Sequence, residues 1–215
     1  MMNKRGSLFI VLGLLMLFSA FGLTFYNLRE SQQAEAVAQV TVEYIHETIP
    51  ETIPETKESF TMELLYDEYS EVEIPSYILN PNMNMPIVHY DGWDYIATIS
   101  IPNLDLEVPV ISEWSYPALR VAPCRYVGSA YLDNLIIAGH NYASHFGRLN
   151  ELNEGEKVVL TDSDGNVFTY YVACREVLQP TAIDQMTQGD WDLTLFTCTV
   201  GGKARVTVRC EKAAE

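Results

Sequence analysis

Hydrophobic and polar positions divide the chain into three unlike stretches. From Leu8 to Tyr26 nineteen residues are uncharged and mostly apolar (LFIVLGLLMLFSAFGLTFY). As a helix rising 1.5 Å per residue, such a run reaches roughly 28 Å, enough to cross the hydrocarbon core of a bilayer. Lys4 and Arg5 precede it, so the positive-inside rule places the N-terminus in the cytoplasm and everything after Tyr26 outside. The rival reading is a cleaved signal peptide. Its Ala-x-Ala candidates, Ala34–Ala36 and Ala36–Ala38, lie well beyond the apolar run, and that run exceeds the roughly 7–15 residues usual for a signal core. An uncleaved anchor through residues 8–26 is the expectation.

The next stretch is polar and punctuated. Glu47-Thr-Ile-Pro50 is followed directly by Glu51-Thr-Ile-Pro54. Prolines at this spacing disfavour helix and sheet, and carboxylates that repel one another extend a chain. The stretch reads as a solvated spacer. The alternative is an arm that docks on the rest of the protein, for which Phe60, Leu64, Leu65, Tyr66 and Tyr69 could supply apolar anchors.

Beyond Trp93 the pattern changes to short β-like runs of Val, Ile, Tyr and Thr separated by Gly, Asn, Asp and Pro. Strands are predicted near 95–101, 106–112, 134–139, 157–161, 166–178, 193–199 and 204–210. Asp162-Ser-Asp-Gly165 carries a hairpin signal between two of them. Helix signals are few, a short one over Phe146–Leu152 and a turn around 181–187. So many short strands in one segment suggest a closed β-barrel or a sandwich. The expected organisation is residues 1–29 as cytoplasmic N-terminus and anchor, 30–92 as acidic tether, and 93–215 as the folded domain.

Charge sharpens this division. The 215 residues carry 13 Lys+Arg against 29 Asp+Glu, a net charge of −16. Residues 1–29 hold three bases and no acid, 30–73 hold twelve acids and one base, and 74–215 hold seventeen acids and nine bases. An acidic chain without a basic face is a poor nucleic-acid binder. Hydrophobic residues make up 48%, which supplies a core and excludes a wholly disordered chain. Four cysteines without a C-x-x-C pair suggest neither a disulfide scaffold nor a zinc site. Outside the membrane a disulfide among Cys124, Cys174 and Cys210 is permitted, and free buried thiols are equally compatible.

Candidate chemistry lies where strand patterns end. Cys198 closes Leu193-Thr-Leu-Phe-Thr-Cys198, just before Gly201-Gly202, and His140 closes Leu135-Ile-Ile-Ala-Gly-His140. Imidazole is the usual partner of a reactive thiol. A hairpin centred on Gly201-Gly202 sets Cys198 opposite Arg205, Leu195 opposite Val208 and Leu193 opposite Cys210. Leu193, Leu195, Val206, Val208 and Cys210 then share a buried face, and Thr194, Phe196, Cys198, Arg205, Thr207 and Arg209 share the other. A guanidinium across from a reactive sulfur can hold an oxyanion or a substrate carbonyl. Arg209 shares that face but pairs with Thr194, so Arg205 is the stronger candidate. The opposing reading is structural, since a lone strand Cys usually serves as a small core hydrophobe.

The stretch from Leu193 to Cys198 with Arg205-Val-Thr-Val-Arg209 resembles the Cys–Arg signature of the sortases, and Ile136-Ile-Ala-Gly-His140 resembles their histidine motif. Ile96–Pro102 through Leu106-Glu-Val-Pro-Val110 resembles the first strands of the sortase barrel. The resemblance spans about residues 93–211 with the motifs in family order, and a membrane anchor with a tether fits the same layout. It implies an all-β closed eight-stranded barrel with short helices, preceded by one transmembrane helix. It also implies a cysteine transpeptidase of Gram-positive cell surfaces that cleaves an LPxTG-like sorting signal after Thr. The acyl group would pass through a thioester on Cys198 to an amine of a cell-wall precursor or pilin. His140 would be general acid and then base, and Arg205 would steady the oxyanion. Thr197 and Arg209 are the expected substrate-binding residues, with no metal and no cofactor required. Surface proteins bearing such signals are the expected partners, and the expected location is a single-pass cell membrane with the catalytic domain outside. The short segment Glu176–Trp191 points to a class A- or D-like enzyme. His145 is expected to be a surface loop histidine. The alternatives are a cysteine peptidase that only hydrolyses and an anchored barrel that binds without catalysis.

Overall fold

The computed structural model describes residues 4–49 and 74–214. Its strands are β1 (Val88–Tyr90), β2 (Trp93–Ile101), β3 (Leu106–Ile111), β4 (Cys124–Val127), β5 (Leu135–Gly139), β6 (Lys157–Asp162), β7 (Val167–Leu178), β8 (Leu193–Cys198) and β9 (Arg205–Lys212). The helices are α1 (Lys4–Thr48), α2 (Ser76–Leu79), α3 (Tyr116–Leu119) and α4 (Ile183–Thr187). Sheet order is β1-β2-β3-β4-β5-β8-β9-β7-β6, and β2 also pairs with β6. Strands β2 to β9 therefore close into an eight-stranded ring, with β1 as an extra edge on β2. Closure removes the exposed sheet edges that eight unpaired strands would otherwise present.

Seven strands fall where the alternation predicts them. The two that the pattern did not show are short. β4, Cys124-Arg-Tyr-Val127, has a single apolar–polar alternation and is held by neighbours on both sides, parallel to β3 and antiparallel to β5. β1 lies within the stretch read as tether and joins β2 through Asp91-Gly92, whose φ angles of 47° and 80° make the tight turn opposing Tyr90 and Trp93. The expected helix over Phe146–Leu152 is reduced to a 3-10 turn at Leu149–Glu151, and the turn around 181–187 is α4. Barrel interior positions come from alternate residues of the strands: Ile99, Val108, Ile137, Leu160, Leu195 and Val208 are all buried in one cluster.

The acidic stretch after Glu30 departs from expectation. The apolar segment continues without a break into a helix of 45 residues. Pro50 and Pro54 stand beyond its end, and residues 31–39 are rich in Ala, Gln and Glu, all good helix formers. The helix-breaking character of the proline repeat therefore does not extend back to Glu30. From Leu8 to Tyr26 the large apolar residues of α1 are exposed, which suits a candidate membrane span. From Ala34 on, one stripe is buried against the barrel: Ala34, Ala38, Thr41, Val42 and Ile45 recur at the three-to-four-residue spacing of a helix face. Tyr44 stacks on Tyr90 at 4.3 Å, and His46 Nε2 lies 3.3 Å from Glu107 Oε1. Part of the expected spacer is thus a strut laid across β1 and β3. Phe60, Leu64, Leu65, Tyr66 and Tyr69, and most of the tandem repeat, lie outside the described residues.

All four cysteines are free. Cys124 and Cys210 are buried, and burial pushes each thiol up to about 12. The two thiols nearest in register, Cys174 and Cys210, are offset by the bulge between Val172 and Cys174 in β7.

Candidate active site

Strand register decides the site. β5 and β8 run parallel with Gly139 opposite Thr197, so His140 and Cys198 leave adjacent strands at the same rim of the barrel. β9 begins at that rim, where Arg205 stands opposite Cys198. The observed pairs Leu195↔Val208 and Leu193↔Cys210 complete the hairpin register read from Gly201-Gly202. His140, distant in sequence, thus joins the Cys198–Arg205 hairpin pair because three neighbouring strands meet at one edge.

Cys198 is exposed, the one cysteine of the four to be so. Its neighbours in β8 are all buried. The thiol is therefore carried on a rigid strand yet open to a reactant, as a nucleophile requires. Arg205 is half-buried and donates through Nη1 to the carbonyl of Ala204 at 3.3 Å. Among the described residues no carboxylate pairs with it, which leaves its remaining donors for an incoming oxygen. His140 is half-buried. Its Nδ1 meets the Asn141 side chain at 2.9 Å and accepts from the Asn141 backbone N–H at 3.0 Å. Nε2 is then the ring nitrogen left for proton exchange.

The loop after His140 is tightly folded. Phe146 N–H returns to the His140 carbonyl at 3.1 Å, and Gly147 N–H bonds the Tyr142 carbonyl at 2.8 Å. Phe146 packs so closely on Gly139 that a Cβ there would stand 2.4 Å from the ring. This fold overturns the surface reading of His145. Its ring is fully buried, and burial, then the nearby His140, lower its pKa to about 4. A neutral, enclosed imidazole is packing under the loop, and His145 is no second base. Tyr142 lies flat on His140, ring centroids 4.0 Å apart with 10° between the planes.

The two expected substrate-binding residues are placed differently. Thr197 is 2% exposed and falls on the inner side of β8 with Leu193 and Leu195, where its hydroxyl has no partner. It does not present its side chain to the rim. Arg209 is also 2% exposed. Nη1 donates to Met186 O at 2.7 Å and Thr194 Oγ1 at 3.1 Å, Nη2 to Gln185 O at 2.5 Å, and Nε to Glu176 Oε2 at 3.1 Å. Four of its five N–H donors are engaged within the protein, tying the α4 loop to β8 and β9. The face shared by Cys198 is therefore covered away from the rim, where strand alternation alone leaves it open.

That cover makes a floor and walls beside the thiol. Ile136, Ala138 and Phe196 form an outward-facing apolar strip under Met186, flanked by Leu119, Tyr126 and Leu178. Tyr126 meets Phe196 edge-on at 5.4 Å and Trp114 at 6.0 Å. Sequence reading gave Asn141 and Tyr142, in the loop after His140, no role, and it missed Trp114, Tyr126 and Met186. Only Ile136, Ala138 and Phe196 had a signal, the alternation of their strands. A separate cleft of about 910 Å³ lies between α1 and the β2–β3 corner, lined by carboxylates such as Glu43 and Glu107. None of the three chemistry-bearing side chains lines it. Among the described residues no His, Cys, Asp and Glu are grouped to hold a metal.

Comparison with known proteins agrees with this geometry. The Sortase domain family model matches residues 99–213. A Clostridium perfringens sortase D5 transpeptidase superposes with a TM-score of 0.51 at 22% identity, over 65% of this chain and 94% of its own. A lid mutant of Corynebacterium diphtheriae sortase A superposes with a TM-score of 0.50 at 21% identity, over 64% and 76%. No curated protein sequence matches the chain. The matched segment takes in the strands that deliver His140, Cys198 and Arg205 to their common rim, and with more than half of its length in that domain the chain belongs to the sortase family.

Proposed function

We propose that the protein is a membrane-anchored sortase that cleaves an LPxTG-like sorting signal after Thr and passes the acyl group to an amine. The observation that carries the reading is the meeting of an exposed thiol, an imidazole and a guanidinium with no carboxylate partner among the described residues, at one rim beside the strip under Met186. The Cys198 thiolate attacks the scissile carbonyl carbon, and the carbonyl electron pair moves to oxygen, where Arg205 compensates the charge. The tetrahedral centre collapses to a thioester, the C–N bond breaks, and His140 gives its proton to the leaving amine. An incoming amine then attacks the thioester and returns a proton to His140, and the thiolate leaves. The acceptor is an amine of a cell-wall precursor or pilin.

The exposed apolar run at residues 8–26 supports a single-pass anchor with Lys4 and Arg5 on the cytoplasmic side. The short α4 loop, with no long helix, favours a class A- or D-like substrate preference. The test is trapping. The full chain in detergent is incubated with LPxTG-, LPxTA- and NPxTN-like peptides and the mass of the Cys198 peptide is read. An acyl adduct is expected with at least one, and is lost in Cys198→Ala. No adduct with any of them refutes the reading.

A further inference from the structure

We propose that the first turn of α1 beyond the membrane span is a positioning element for the catalytic histidine, acting through Glu30 and Tyr142. This rests on His140 as the proton carrier. The buried stripe of α1 ends toward the membrane at Glu30 and Ser31, both half-buried, four and five residues after Tyr26 closes the apolar run. At 1.5 Å per residue that is about 6 Å of helix. Ser144 Oγ donates to the Ser31 carbonyl at 3.1 Å, bridging 113 positions in sequence. Burial, then a hydrogen bond to the Glu30 side chain, pushes the Tyr142 phenol up to about 12, and Arg120 and Tyr26 act on it through their charges. On its other side the Tyr142 ring covers His140 at 4.0 Å and 10°, and its edge meets buried His145 at 5.4 Å.

Among the described residues, the His140 ring is hydrogen-bonded by Asn141 alone, at Nδ1. The Asn141 contacts hold one edge of the imidazole, and a parallel ring at stacking distance holds its face. The group at the Tyr142 hydroxyl belongs to the anchor helix, so α1 steadies the ring that covers His140. Orientation of a proton-transferring group changes turnover more than it changes binding of a substrate held elsewhere. The catalytic rim consequently works within about one helical turn of the point where α1 leaves the apolar span.

The test uses the full chain in lipid nanodiscs with ¹³C at His Cε1. The chain has four histidines, assigned by substituting His46, His89 and His145 in turn. The His140 Cε1–H signal is expected upfield, displaced by the Tyr142 ring current. Tyr142→Leu removes the displacement and Glu30→Ala removes most of it. A His140 signal unmoved by Glu30→Ala overturns the proposal. In the acylation assay Tyr142→Phe and Glu30→Ala each lower kcat about tenfold with KM unchanged, and the double variant is no worse than either. Additive losses, or a change in KM alone, count against it. Should no peptide acylate the wild-type thiol, the functional reading falls, and the histidine signals still decide the role of α1.

Discussion

Arg209 and Arg205 sit four residues apart on β9, and their surroundings predict opposite consequences of substitution. In Arg209→Met the apolar stem keeps its volume while the guanidinium disappears. Two of its bonds end on enclosed partners, the Met186 carbonyl and the Thr194 hydroxyl, and a third reaches the carbonyl of exposed Gln185. A hydrogen bond from a charged donor contributes about 1.5 kcal/mol at the low end. The Glu176 carboxylate is 44% exposed and adds little after screening. The loss is therefore about 3 kcal/mol, at the low end of the roughly 3–5 kcal/mol seen when one partner of a buried charged network is removed. For a domain of this size that lowers Tm by roughly 10–15 °C. Arg205→Met, at a half-buried rim residue bonded only to a neighbouring carbonyl, should shift Tm by no more than about 2 °C. It should instead cost about a hundredfold in kcat. Thermal unfolding of the two full-length variants in the same detergent, with acylation rates measured well below either midpoint, checks both. Equal Tm shifts, or an Arg209 variant of wild-type stability, would refute the reasoning from burial and bonding.

The pKa of His145 is lowered in the folded protein to about 4, so its stabilising neutrality is complete above about pH 6.5 and is lost as pH falls toward 4. His145→Gln should flatten the fall in urea midpoint across that window, worth at most about 3 kcal/mol; an unchanged pH profile removes His145 from the account. Iodoacetamide at neutral pH should label Cys198 before Cys124 or Cys210, whose thiols burial raises to about 12. Intact mass should be the same with and without reductant, and a 2 Da difference would contradict four free thiols. Gly139→Ala drives a methyl group into Phe146 and should destabilise by about 1–3 kcal/mol while displacing His140, detectable as a lower Tm with a disproportionate loss of acylation.

Much of the barrel was legible because a strand's two-residue period leaves its imprint on the chain wherever one face is buried. The β8–β9 hairpin could be registered to the residue from two glycines, since a short turn leaves one pairing. β4 escaped because four residues carry too little pattern and its partners are assigned by topology. The helical half of the acidic stretch escaped for another reason. Ala34, Ala38, Val42 and Ile45 form a weak stripe amid charges, and it becomes a buried face only because β1 and β3 lie beneath it.

Local sequence thus determined which residues end strands, and with that the candidates Cys198, His140 and Arg205. Motif order alone also placed the chain in its family. The tertiary structure decided which polar side chains reach the rim. Thr197 points inward, Arg209 is consumed by the α4 loop, and His145 is sealed beneath its own loop. It also brought Glu30 to Tyr142 across more than a hundred residues. Exposure and partnership are properties of packing between distant segments. They depend on what covers a face, and neither spacing nor composition records the cover.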